Sequence, residues 1–357
     1  MERNGLMNGE NIQHPTFNAQ HSIFARWNHW ALNVECWVLN VLFLLSLFSF
    51  ASARADSPTN QPCMIIAIGA EGEEEYGKQF LKSAELWTNA CAKGGVKCVL
   101  VGLAPTNETT DDLTLLKQAV MTEPPNSLAE LWLVLIGHGT FDGNEAKFNL
   151  RGLDLSATEL ATWLKPFHRP LIVINGASSS AAFIAKLSAP GRAIVTATRS
   201  GYEQNYARFG KFLAETIVDP SADLDKDGET SLLEAFVMAS RRTSEFYDAE
   251  GRLATEHALL DDNGDGLGTS ADFFRGVRPV KKPEGGKSAD GLRAHQICLV
   301  HSTEEQKLSP EIRAKRDELE RAFAKLRDLK ASLNEDDYYR RLENLMLELA
   351  KLYSSGK

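Results

Sequence analysis

The chain lacks several things that would fix its class at once. It has no basic excess, since 39 lysines and arginines stand against 48 aspartates and glutamates, a formal net charge of -9. Nucleic-acid recognition rests on a basic footprint, so that class of partner is set aside. Its N-terminal apolar run, residues 37–50, is shorter than the ~20 residues of a membrane-spanning helix. Cysteine is scarce, five in 357 residues, and none stands at metal-ligand spacing. No motif calls for an organic cofactor.

What the N-terminus does contain reads as a targeting segment. Residues 37–50 have the length of a signal-peptide apolar core, and Ala53-Arg54-Ala55 supplies small residues at −3 and −1 of a cleavage site after Ala55. The expectation is a leader over 1–55, removed on export to a periplasmic or extracellular space, with no membrane span left. The segment ahead of the apolar run is long and carries Arg3 and Arg26 against Glu2, Glu10 and Glu35; a start assigned too far upstream accounts for it. Removing Cys36 leaves Cys63, Cys91, Cys98 and Cys298, an even number in a compartment that permits disulfides. Three pairings are open, and buried free thiols are an equal reading. Asn107-Glu108-Thr109 matches a glycosylation sequon.

Beyond the leader, apolar strands alternate with amphipathic helices. Strands are expected at 64–68, 96–103, 131–136, 171–174 and 193–197, and helices at 79–92, 111–121, 156–164 and 181–187. On the first helix Phe80, Leu81, Ala84 and Trp87 or Leu86 form the inner face. Gly94-Gly95 stops it. This alternation predicts an α/β domain with a mostly parallel sheet covered on both faces. Ligand sites in such sheets lie at the carboxyl ends of the strands. Gly69-Ala70-Glu71-Gly72, Gly137-His138-Gly139, Asn175-Gly176-Ala177-Ser178 and Thr198-Arg199-Ser200-Gly201 all fall there and are expected to share one cleft, with Glu71 on its border.

His138 is the residue of interest. Flanking glycines let a substrate backbone approach, and a neutral imidazole can accept a nucleophile's proton near pH 7. His14, His21 and His29 fall in the leader, while His168, His257, His295 and His301 lack such a setting.

On these residues the chain resembles the legumain-like and caspase-like cysteine peptidases over about 64–269. In that fold a His-Gly pair follows one central strand and the nucleophilic cysteine follows the next, in a turn rich in alanine, serine and glycine. Gly137-His138-Gly139 is similar to the first element and Asn175-Gly176-Ala177-Ser178-Ser179-Ser180 to the second, with Gly176 where the cysteine would stand. The resemblance implies a specificity-pocket loop at Thr198-Arg199-Ser200 with Glu203. It also implies a vacated nucleophile position, because glycine has nothing to attack with. The expected function is therefore a non-catalytic peptidase homologue that binds a peptide or protein ligand or acts as a scaffold. The alternative is an active hydrolase in which a serine near His138, such as Ser178, replaces the cysteine.

The acidic segment 223–234 has the composition of a twelve-residue EF-hand loop. Asp223, Asp225 and Asp227 stand at positions 1, 3 and 5, and Gly228 at the sharp turn. The Glu229 carbonyl, Ser231 and a bidentate Glu234 complete a Ca²⁺ ligand set, while Thr230 stands where an aliphatic residue is usual. A weaker set, Asp261, Asn263, Asp265, Leu267 and Asp272, ends in the shorter carboxylate. Helices are expected on both sides of the first loop, over 209–218 and 232–247.

The remaining chain divides simply. The α/β domain is expected over 56–278, with the EF-hand-like part at 209–274, and a linker with a short strand at 279–308. A helical hairpin follows over 309–357. Ser309-Pro310-Glu311 opens its first helix, which carries Ile312, Leu319, Phe323, Leu326 and Leu333. Tyr338, Leu342, Leu345, Leu349 and Leu352 form the seam of the second. Homo-oligomerisation through these helices is the expected mode of self-association.

Overall fold

The computed structural model describes residues 61–103, 111–281 and 289–355. The leader with Cys36 and Ala55, the sequon at Asn107 and the middle of the linker lie outside the described residues. Nine strands are used below: β1 (Cys63–Ile68), β2 (Lys97–Val101), β3 (Leu131–Ile136), β4 (Gly139–Phe141), β5 (Ala146–Phe148), β6 (Leu155–Ser156), β7 (Leu171–Asn175), β8 (Arg192–Thr196) and β9 (Leu259–Asp261). The helices are α1 (Glu74–Gly94), α2 (Asp112–Thr122), α3 (Ala157–Leu164), α4 (Ala182–Leu187), α5 (Phe209–Thr216), α6 (Leu232–Ala249), α7 (Pro310–Asp328) and α8 (Glu335–Ser355).

The central sheet has the order β2-β1-β3-β7-β8-β9. Its first five strands are parallel, and β9 closes the edge antiparallel to β8. Strand alternation explains why both faces are buried. Met64, Ile66, Trp132, Val134, Ile172, Ile174 and Val195 point to one face, where α1, α5 and α6 bring Phe80, Trp87, Leu213 and Phe236. Ile65, Leu131, Leu133, Val173 and Ile194 point to the other, under Leu116 of α2, Leu160 and Trp163 of α3, and Phe183 of α4. Each such fully buried side chain contributes about 1.5–3 kcal/mol.

The expected strands and helices form within a few residues of their predicted limits, but three differences matter. Helix α1 begins at Glu74, inside the stretch read as a loop, with Glu74 and Glu75 in its first turn, where acidic charge is favoured. Leu81, placed on the inner face from sequence, is 45% exposed. A three-stranded antiparallel sheet, β4-β5-β6, fills the stretch between His138 and α3. Those strands are two or three residues long, too short for an alternation signal.

Past α6 the expected pattern changes further. In the linker region the described residues hold no strand of the central sheet. They have the second strand of a small ribbon, Phe274–Arg275 with Arg278–Pro279, and a single antiparallel bridge between Ser231 and Cys298. The turn at Ala294–Gln296 then receives α7: Gln296 Nε2 donates to the Asp317 carbonyl at 3.2 Å and to Glu320 at 2.9 Å, and Arg321 donates to Gln296 Oε1 at 2.6 Å. Helices α7 and α8 pack on each other, burying Leu319, Leu326 and Tyr338. Among the described residues, no helix is long and apolar enough to cross a membrane.

Candidate functional site

His138 leaves the carboxyl end of β3 half-buried, boxed by Tyr76, Phe80 and Tyr206 at centroid distances of 4.9, 5.2 and 5.9 Å. Burial pushes its imidazole below the ordinary value, outweighing the Glu71 backbone carbonyl and the Glu73 charge, which act the other way. The ring is therefore neutral near pH 7, as a general base must be. Tyr206 is itself pushed up to about 12, chiefly by burial, so it stays a protonated phenol.

Gly176, one residue past β7 on the neighbouring strand, is half-buried and packed against α5. A Cβ built on it would lie 3.2 Å from Gly210 Cα and 3.4 Å from the Leu135 carbonyl oxygen. The first turn of α5 thus rests backbone to backbone on the strand end, an approach that only a pair of glycines permits. Beside them is a cavity of about 20 Å³, bounded by Phe80, Trp87, Leu135, Gly137 and Tyr206.

None of the three serine hydroxyls after Gly176 hydrogen-bonds to His138. Ser178 Oγ accepts from Gly139 N at 3.2 Å and donates to the Gly139 carbonyl at 3.1 Å, so the serine singled out from sequence ties the two turns together. Ser180 Oγ accepts from Ala197 N at 3.1 Å and lies 3.2 Å from Thr198 Oγ1. Ser179 has left-handed backbone, φ 56°, and its buried hydroxyl has no hydrogen-bond partner. The geometry disfavours the serine-hydrolase alternative.

The other cleft candidates are engaged with their neighbours. Glu203 accepts from Arg199 N at 3.0 Å and His257 N at 3.2 Å, lies 2.6 Å from His257 Nδ1, and pairs with the Arg199 guanidinium at 3.4 Å. Glu71 is exposed, and its side chain lies against Gly77. Sequence reasoning missed Glu256, buried and holding α5 in place: it accepts from Arg208 N at 2.8 Å, Phe209 N at 2.9 Å and the Tyr247 hydroxyl at 3.0 Å. Burial pushes the Glu256 carboxyl up despite these donors. The aromatic box and the Glu203–His257 contact were also missed. Both join residues remote in sequence, and neither has a local signal.

In the acidic loop, Asp223, Asp225 and Asp227 bring carboxylate oxygens within 4.8 Å of one another. Asp223 accepts from Lys226 N at 2.6 Å and Gly228 N at 3.1 Å, and Asp227 from Glu229 N at 2.9 Å, which folds the chain tightly around the carboxylates. Desolvation, then the Asp225, Glu234 and Glu229 carboxylates, push the Asp227 carboxyl up. Ser231 caps α6 in a reciprocal box with Glu234, whose other oxygen accepts from Leu224 N at 2.7 Å. The loop also holds the C-terminal segment, through His295 Nε2 at 2.9 Å from Asp225 and Ser302 N at 2.6 Å from Glu229. Burial would raise Glu229, but His301 and the Ser302 N–H hold it down at about 2.

In the second acidic set the side chains accept from the backbone of their own turn, as in the first loop. Asp261 belongs to β9, buried, and accepts from Gly264 N at 3.1 Å and Gly266 N at 3.2 Å. Asn263 and Asp265 accept from the backbone of Asp265 and Leu267, while Leu267 is 57% exposed. Asp272 is in a 3-10 turn, paired with Lys281 and Ser270, and no α-helix follows it. The Asp-Asn-Gly run instead makes a tight turn after an edge strand.

Comparison with known proteins follows from this geometry. No protein-family model matches the chain, and no curated protein matches it in sequence. Among solved structures it is similar to the Drosophila initiator caspase Dronc, at 14% identity and a TM-score of 0.38, over 59% of this chain and 83% of that one. It is also similar to caspase-1 from Spodoptera frugiperda, at 9% identity and a TM-score of 0.37, over 57% of this chain and 87% of that one.

Proposed function

We propose that the chain is a non-catalytic caspase/legumain-like domain, exported and calcium-binding, that acts as an interaction module. The observation that carries this reading is the packed strand end: Gly210 rests on Gly176, and Ser178 and Ser180 bond to Gly139 and to Ala197 rather than to His138. A thiol or hydroxyl nucleophile needs a base within hydrogen-bond reach, and the bonding of Ser178 to Gly139 and of Ser180 to Ala197 supports the non-catalytic reading. The former reaction centre has become packing, and ligands are met on the outer surface. The expected result is no turnover of fluorogenic peptides by the full chain. Turnover lost in both His138→Ala and Ser178→Ala would overturn the reading.

Calcium is the second part of the proposal. Ca²⁺ holds oxygens at about 2.3–2.6 Å, so ligands around one ion lie no more than about 5 Å apart, a limit the Asp223-Asp225-Asp227 trio meets. Glu234, whose oxygens accept from the Leu224 and Ser231 N–H groups, keeps lone pairs with which to join as a ligand. The ion would supply charge neutralisation for the crowded carboxylates and tie the loop to α6. At a hundredfold excess over Kd, binding adds about 2.7 kcal/mol, a rise in melting temperature of roughly 5–10 °C for a domain of this size. Asp225→Asn should abolish the rise; an unchanged melting temperature for wild-type protein in Ca²⁺ would refute the site.

Export rests on residues 37–55, outside the described part. Self-association through α7 and α8 is supported by the apolar groups they leave at the surface, among them Tyr339, Met346, Leu347 and Tyr353. A chain ending at residue 308 should then sediment as a smaller assembly than the full chain.

A further inference from the structure

The four described cysteines are free thiols, and they are not equivalent. Cys63 points to the face covered by α2 and α3, and burial, then the Glu123 carboxylate, push its thiol up to about 12. Cys298 is deep beside Glu229 and is raised by burial and that carboxylate. Cys91, near the end of α1, and Cys98, on the edge strand β2, lie on the opposite face of the sheet from Cys63.

Three contacts bring this last pair together. Cys98 is the register partner of Met64, and Cys91 Sγ lies 3.4 Å from Met64 Sδ. Thr88 Oγ1, one helical turn before Cys91, is 4.0 Å from Cys98 Sγ. We propose that Cys91 and Cys98 form a redox-active pair that closes to a disulfide on reaction with a low-molecular-weight disulfide.

The asymmetry of the pair sets the order of events. The neighbouring Cys91 thiol holds the Cys98 sulfur down at about 7, against burial and with help from Thr88. Cys98 is half-exposed, whereas Cys91 is buried. The Cys98 thiolate attacks one sulfur of RS–SR, forming a mixed disulfide and releasing one thiolate. Cys91 loses its proton to a released thiolate and attacks the Cys98 sulfur, expelling the second. Two protein thiols and RS–SR become one protein disulfide and two RSH. The bridge closes an eight-residue span from Cys91 to Cys98, pinning the end of α1 to the sheet edge. Because Tyr76 and Phe80 of the same helix box His138, the bridge fixes the layer over the strand ends.

The test equilibrates the full chain with excess oxidised glutathione, blocks remaining thiols, and maps tryptic peptides without reduction. The peptide beginning at Ser83 should be linked to the one beginning at Cys98, with the loss of two hydrogens from the protein mass. Cys91→Ser should retain glutathione on Cys98, and Cys98→Ser should give neither bridge nor adduct in the native state. The wild-type map needs no variant to fold. A bridge between any other pair, or a wild-type Cys98 that remains a free thiol or a mixed disulfide at equilibrium, would overturn the proposal.

Discussion

Gly176→Cys places a sulfur at the strand end beside His138, and its cost can be worked from the packing. The new Cβ would sit 3.2 Å from Gly210 Cα, inside ordinary carbon–carbon contact, with both neighbours being backbone. Main chain yields less than a side-chain tip, so overpacking of about 1–3 kcal/mol is expected. Gly210→Ala meets the mirror contact, 3.1 Å to Gly176 Cα, and should cost about as much. Urea denaturation measures both, as a lower midpoint at unchanged slope. The double variant should lose more than the sum, because two added carbons face each other. The introduced thiol, enclosed under α5, should react slowly with a disulfide reagent and confer no peptidase activity. Unchanged stability together with a fast-reacting thiol would refute the close packing of Gly210 on Gly176, and with it the support that packing gives the proposed function.

Three further outcomes test other parts of the structure. Glu256→Ala strands the Arg208 and Phe209 N–H groups at the start of α5; at about 1–3 kcal/mol for each buried unpaired donor, thermal melting should show a loss of roughly 2–5 kcal/mol, and a loss below ~1 would refute the clamp. His138 titrates below its ordinary value in the folded chain, so the unfolded chain takes up that proton first as the pH falls. Its contribution is complete above about pH 6.5 and is lost on acidification through the folded value; His138→Phe should flatten the acid-side decline of stability, and an identical pH profile would contradict the burial. Ser178→Ala removes a hydroxyl that both donates to and accepts from Gly139. It should cost about 1–2 kcal/mol in denaturant melts.

The sequence by itself determined the layers. Continuous apolar strands such as 131–136 and 171–174 can only be buried on both faces, and the helical stripes between them supply the cover. It also determined the turn residues of the acidic loop, because Asp and Gly at fixed spacing make the same local hydrogen bonds wherever they stand. The positions of His138 and Gly176 at neighbouring strand ends were legible for the same reason. What stands opposite those ends was not. That α5 would place Gly210 on Gly176, that Glu256 would hold the helix there, and that Ser178 would turn to Gly139 rather than to His138 are contacts between residues 34 to 48 positions apart. Cys91 and Cys98 were two of four cysteines with three pairings open, until the face of the sheet separated them from Cys63. Local chemistry writes the elements and their ends; only packing decides which ends stay open, because exclusion of a substrate depends on what the rest of the chain puts in its way.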